Sequence, residues 1–242
     1  MNAKRGFVPE DVRNFSPEAI ALMRTAFRHI CYLINEGYDL KHASTFVGNH
    51  YMLSERQRLA LMRSAATDEQ LAARREKEVR LGGLAGREVW IDGFNTIITL
   101  EVILSDSIFF QCMDGTVRDL AALRGTYRLI PETDKAVHIL LGLLEEAKAD
   151  TVRILLDEPV SNSGRLKAKI ADIAEEYSVH PDIRIQKVVD RELYDKELVI
   201  TSDSIILDHC KSWVNLTGEY TRRENREPIR VWGERCQEGK RG

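Results

Sequence analysis

The chain has 242 residues, 43% of them hydrophobic and 30% charged, with a formal net charge of −3. That is the balance of an ordinary globular protein with room for one large domain, or a small one joined to a medium one. It is not the basic balance of a typical nucleic-acid-binding domain, although an enzyme that gathers carboxylates around a metal lowers its own charge. Cys31, Cys112, Cys210 and Cys236 stand far apart without a C-x-x-C pair, which argues against a zinc ribbon or a disulfide framework. With no apolar run of membrane-spanning length and no signal-type N-terminus, a cytoplasmic protein without a membrane partner is expected.

Helix signals come first along the chain. Ser16-Pro17 is a helix start, with Ser as N-cap and Pro at the first helical position. Leu22, Met23, Ala26, Phe27, Ile30, Cys31 and Ile34 then recur at helical spacing until Gly37. Asp39 caps a second helix carrying Ala43, Phe46 and Val47. Ser54 and Gln57 form a capping box for a third, with Leu59, Leu61 and Met62 on its apolar side. The charged stretch Asp68 to Arg80 continues or follows it. The run Gly82-Gly83-Leu84-Ala85-Gly86 reads as a hinge. It divides a small helical domain (1–80) from a second domain (87–220) and a charged tail (221–242), and the second domain is expected to fold alone. The arginines between Leu53 and Arg63 suit either a nucleic-acid-reading helix or a helical cap or dimerisation face. Interspersed acids favour the latter, with a homodimer as one outcome.

Beyond the glycines, short β-rich runs alternate with helices. The strands are Glu88–Asp92, Thr151–Asp157, Ile183–Val189 and Leu198–Asp203, with helices over Glu132–Lys148 and Gly164–Tyr177. This alternation implies an α/β domain, a parallel sheet covered on both faces in three layers. Ile97–Leu104 is apolar throughout and fits a helix or a buried strand. Ile108–Cys112 is strand-like, Asp114-Gly115 a turn, and Ile229–Trp232 a candidate edge strand in an otherwise irregular tail.

Asp92, Asp157 and Asp203 each end a strand. Parallel strands bring their C-terminal ends to one edge, where open α/β sheets bind ligands. Three carboxylates there repel one another unless a cation lies between them, and Mg²⁺ or Mn²⁺ selects such oxygen donors. The rival reading is that each Asp caps the helix after it.

Val89-Trp90-Ile91-Asp92-Gly93-Phe94-Asn95 resembles the first-strand motif of NYN-type nucleases. Val199-Ile200-Thr201-Ser202-Asp203-Ser204 resembles the late Thr/Ser-x-Asp motif of PIN domains, and Leu155-Leu156-Asp157 matches the middle acid. The resemblance spans about Glu88 to Leu216. It implies a PIN-like parallel-sheet domain preceded by a small all-α domain, and a nuclease in which Asp92, Asp157 and Asp203 are catalytic and hold Mg²⁺ or Mn²⁺. The whole chain also resembles a family of prokaryotic proteins of unknown function with this domain order. PIN domains carry a further acid on a helix after the first motif. Here the candidates are Asp114, which reads as a turn residue, and Asp119, preferred as catalytic, with Arg118 beside it as a phosphate contact. Asp208, about one turn after Asp203, is a further metal candidate. Asn95 would orient Asp92 or a bound water.

The loop Pro159–Arg165 runs into a helix N-terminus, so Ser161, Ser163 and Arg165, with Lys167 close by, are candidate phosphate contacts. Simple N-capping by either serine is the alternative. The expected partner is nucleic acid, RNA ahead of DNA. The rival functions are an inactive RNA-binding module on the same fold and another metal-dependent phosphoryl-transfer enzyme. No D-x-D-x-T or G-x-x-x-x-G-K-[ST] sequence supports a dehalogenase-type phosphatase or an NTPase, and the six histidines form no metal-binding motif.

Overall fold

Side-chain caps start most of the N-terminal helices. The computed structural model describes residues 4–121 and 125–233. After a short α1 (Asp11–Asn14), Ser16 accepts the Ala19 N–H to open α2 (Pro17–Asn35), and Asp39 accepts that of His42 to open α3 (Leu40–His50). Reciprocal capping boxes open α4 (Glu55–Ser64) at Ser54 and Gln57, and α5 (Asp68–Lys77) at Thr67 and Gln70. The second box answers the question left open at Asp68: α5 is a separate helix. Met23, Phe27, Ile30, Ile34, Val47 and Leu61 form the core of this bundle.

The chain then enters the sheet as β1 (Glu78–Val79), before the glycines are reached. The expected hinge is a 3-10 turn over Leu81–Leu84 whose two leucines are buried in the α/β core. The order that follows is β2 (Glu88–Asp92), α6 (Gly93–Leu104), β3 (Phe109–Gln111), β4 (Val117–Asp119), α7 (Pro131–Glu146), β5 (Thr151–Asp157), α8 (Ser163–Ala174), β6 (Asp182–Gln186), α9 (Val189–Leu193), β7 (Val199–Ile200), α10 (Ser204–His209), β8 (Trp213–Val214) and α11 (Leu216–Arg223). The ambiguous Ile97–Leu104 lies in α6, whose residues are all buried except Asn95 and Leu104. A helix covered on every side has no polar face, so its sequence shows no amphipathic period.

Six strands pair in parallel in the order β1-β8-β7-β2-β5-β6. Strand alternation divides the core. Val89, Ile91, Ile154, Leu156 and Ile200 pack on the α6–α7–α8 layer, whereas Trp90, Leu155 and Val199 pack against Leu193, Ile206 and Leu207 of α9 and α10. The result is a three-layer α/β domain preceded by a helical one. Gly93 is required where it stands: a Cβ there would lie 2.6 Å from Leu156 Cδ2 and 2.7 Å from the Leu155 carbonyl, because α6 starts hard against β5. Among the described residues no helix is long and apolar enough to cross a membrane.

The antiparallel hairpin β3–β4 joins the two parts. Ile229 makes a single bridge to Phe110 beside it, in place of the edge strand expected over Ile229–Trp232, while Cys236 and the end of that tail lie outside the described residues. Phe110, Met113, Leu120 and Val231 are buried in the helical core, Phe110 edge-on to Phe15 at 5.3 Å.

A polar network completes the joint. Arg74 of α5 is 2% exposed, with Nη1 donating to Asp114 at 2.7 Å, Nε to Asp208 at 2.7 Å and Nη2 to the Ser204 carbonyl at 3.3 Å. Trp213 Nε1 donates to the Arg74 carbonyl at 2.7 Å. Asp114 also accepts from Arg118 at 2.5 Å. Asp114 is therefore more than the turn residue expected of it. Burial alone would raise its pKa, but Arg118 and Arg74 beside it bring it below the usual carboxylate value.

These contacts revise the expectation that the second part folds alone. A fragment starting at Leu81 lacks Arg74, β1 and the apolar cover of Phe110, and we expect it to lack a near-ultraviolet circular dichroism signal. In the whole chain Arg74→Met leaves Asp114 to Arg118 alone and Asp208 without its arginine, and should cost about 3–5 kcal/mol in urea unfolding. A well-ordered fragment, or a loss below about 1 kcal/mol, would show that the joint is peripheral.

Candidate functional site

The register of the sheet builds the site. Ile91 pairs with Ile200, so Thr201 comes to stand beside Asp92 at the C-terminal end of β2. Thr201 Oγ1 donates to Asp92 Oδ2 at 2.9 Å and accepts the Asp203 N–H at 3.0 Å. Asn95 Oδ1 accepts from the Ser202 N–H at 2.8 Å and the Ser202 hydroxyl at 2.9 Å. The Asp-Gly-Phe-Asn segment and the Thr-Ser-Asp segment are thus tied into one unit. Asn95 orients the turn between β7 and α10, and reaches Asp92 only through Thr201, a correction to the role expected of it. The chain runs from β2 out through β5 to β6, then returns to β7 on the other side. Such a reversal opens a crevice outside the strand ends, here between β2 and β7.

Three carboxylates follow strands along this edge, in the order Asp203, Asp92 and Asp157, and Asp190 on α9 lies close enough to interact with all three. Asp92 is 6% exposed, and burial, then Asp203, Asp157 and Asp190, push its pKa up to about 8 against the opposing Thr201 hydrogen bond. Burial and Asp190 raise Asp157, while burial and Asp203 raise Asp190. Asp190, in the first turn of α9, is a functional candidate that the sequence reading passed over. Its signal was present: Val188-Val189-Asp190 is one more apolar run ending in an acid. The capping alternative holds for Asp203, which accepts the Ile205 and Ile206 N–H groups. It fails for Asp92, whose side chain makes no cap bond to α6, and for Asp157, since α8 starts later, at Asn162.

These donors are the hard oxygens that suit a divalent cation. Among the described residues, however, no three His, Cys, Asp or Glu side chains lie close enough to hold one ion together. The acids fit a metal in chemistry and in mutual charge. Their spacing is wider than a shared coordination shell.

Other expected residues fall elsewhere. A cleft of about 450 Å³ lies between α4 and the sheet edge, and Arg63, Asn95, Asp119, Ser202 and Asp203 line it. Asp119 ends β4 of the hairpin and not a strand of the parallel sheet, and accepts from Thr99 Oγ1 at 3.0 Å and the Ala121 N–H at 2.7 Å. Arg118 is a brace and not a phosphate contact, since its donors go to the Ser202 carbonyl, the Arg63 carbonyl and Asp114, each at 2.5 Å. Asp208 is not a metal candidate: Arg74 and Gln70 hold it. Five residues along a helix turn a side chain about 140° away from Asp203.

Ser161 does not cap the helix, and its hydroxyl is engaged by Tyr127. It accepts the Tyr127 N–H at 2.9 Å and donates to the Tyr127 carbonyl at 3.2 Å, holding that segment against α8. Asn162, at φ +64°, occupies the N-cap position without a side-chain cap bond. Ser163 begins α8, and Arg165 is exposed with no ion pair among the described residues.

Fold and site together define an α/β protein with an acidic strand-end edge beside a helical domain. The chain belongs to the family described as Domain of unknown function (DUF5616), whose model matches residues 81–219. Residues 22–77 match the one described as Protein of unknown function (DUF434). The matches part at the end of α5, near the boundary that the glycines suggested. The chain is 36% identical over 190 residues to an uncharacterised protein of Methanocaldococcus jannaschii, covering 78% of this chain and 91% of that protein. No solved structure matches.

The raised Asp92 pKa sets a pH dependence. Below pH 3.8 the carboxyl is protonated in both folded and unfolded chains; between there and about pH 8 only the folded chain keeps the proton. Stability therefore falls as pH rises through this window, by up to about 1.4 kcal/mol for each pH unit. Without metal, Asp92→Asn should melt above wild type near pH 8 and level with it near pH 4. A pH-independent difference in thermal scans would exclude an ionisable, strained Asp92.

Proposed function

We propose that this chain is a metal-dependent hydrolase of phosphodiester bonds in nucleic acid, RNA ahead of DNA, on a PIN-like form of the three-layer fold. The observation that carries this reading is Asp92: a carboxylate at the strand-order reversal, made costly to ionise by burial first and by three neighbouring acids after it. Proteins do not ordinarily bury repelling carboxylates without a use for them. Asp92, Asp157, Asp203 and Asp190 are the carboxylates that would hold Mg²⁺ or Mn²⁺; at their spacing no three of them share one ion, so water would complete the shell. Bound there, the ion supplies a Lewis acid for a phosphoryl oxygen and lowers the pKa of a water.

The chain's own residues position this chemistry. Thr201 fixes one oxygen of Asp92, and Asn95 fixes the turn that carries Asp203. Ser163 and Arg165, at the N-terminus of α8 after Asp157, offer a cation and backbone N–H groups to a neighbouring phosphate. A cytoplasmic location accords with such a substrate.

Purified protein should cut single-stranded RNA in Mn²⁺. Asp92→Asn and Asp203→Asn should each slow cleavage at least about a hundredfold, as the loss of one preorganised electrostatic group does. Binding should persist, because removing a carboxylate lessens repulsion of phosphates. Equal cleavage by wild type and both variants would reveal a contaminating nuclease and defeat the assignment. Binding without cleavage in any metal would instead define an inactive RNA-binding module, its affinity steeply dependent on salt.

A further inference from the structure

The cleft beside the acids has a wall from the helical domain: Leu40 opens α3, and Leu59, Met62 and Arg63 lie on α4. Two cations line it, and they are differently placed. Arg118 is buried with Nε, Nη1 and Nη2 all bonded within the protein. The Arg63 side chain is 33% exposed, and only its Nη1 is engaged among the described residues, on the Asp119 carbonyl. A guanidinium carries five donors, so most of those on Arg63 remain unspent.

Arg63 pairs with Asp119 only loosely. Its approach to the Asp119 carboxylate, at 3.6 Å, is longer than a direct hydrogen bond, and that carboxylate already accepts from Thr99 and Ala121. Its place is nonetheless fixed. The Arg63 carbonyl accepts from Arg118, which also binds the Ser202 carbonyl beside Asp203.

We infer that Arg63 is a substrate-binding residue: the helical domain supplies the cation that receives a phosphate of the polynucleotide opposite the acidic strand ends. The inference rests on the nuclease reading for its choice of substrate. Carboxylates repel a phosphodiester, and a planar guanidinium across the cleft both offsets that repulsion and fixes the phosphate with paired donors. The helical domain is then part of the site.

The test uses the full chain and a labelled single-stranded oligoribonucleotide, with anisotropy measured across salt concentrations. Arg63→Gln, which keeps much of the side-chain volume, should weaken binding about tenfold and reduce the log–log salt slope by about 0.7, the loss of one phosphate contact to a single strand. Arg63→Lys should restore the slope. In cleavage assays Arg63→Gln should raise KM more than it lowers kcat. Wild-type affinity and slope in Arg63→Gln, its melting temperature unchanged, would overturn the inference while leaving the nuclease intact. An Arg63 effect on binding in a protein that cuts nothing would sustain the inference and defeat the nuclease reading. A wild type that binds no oligonucleotide would overturn both.

Discussion

A buried guanidinium is stable only where carboxylates and carbonyls meet its donors, and the arrangement around Arg74 is the constraint on which this molecule turns. One side chain of α5 reaches Asp114 in the hairpin, Asp208 on α10 and the Ser204 carbonyl at the start of that helix. Asp114 in turn holds Arg118, and Arg118 holds the Ser202 carbonyl. The segment Ser202–Ser204 is thus gripped from both sides, by α5 directly and by the hairpin through Arg118. Asp203 lies between those grips.

This explains why a helical bundle and a parallel sheet act as one structure although the chain pattern changes so sharply between them. The bundle closes one side of a cleft whose other side is the strand-end edge. Within that edge, Thr201 and Asn95 transmit the register of β2 against β7 to the acids. Folding energy from remote packing can then hold Asp92 among charges that would otherwise separate.

Local signals in the sequence carried much of the fold. The Ser16, Asp39 and Ser54 caps involve partners three residues away, so reading them needs no tertiary knowledge. The alternation of strands and helices fixed the α/β class, and strand-end acids pointed to the edge of the sheet. Contacts distant in sequence stayed hidden. Asp114-Gly115 does form a turn, with Gly115 at φ +82°, but nothing local announces that Arg74 will bury its carboxylate. Arg118 looked available because Ser202 and Arg63 are remote along the chain, and Asp208 looked close to Asp203 because helical phase was not followed through five residues. Asp190 differs from these. The same reasoning that found Asp92 applies to it, since the expected strand Ile183–Val189 runs directly into Asp190; in the fold β6 ends at Gln186 and a short helix carries the acid.

A metal-dependent site at this edge requires that its acids take up a divalent cation. Electron paramagnetic resonance of Mn²⁺ titrated into the whole protein measures this directly, since bound Mn²⁺ loses its free-ion signal. Saturable binding is expected, removed by Asp92→Asn and by Asp157→Asn and left intact by Asp208→Asn, because Arg74 holds that carboxylate away from the edge. Mn²⁺ that stays free in the wild type, or that binds Asp92→Asn equally well, would contradict such a site.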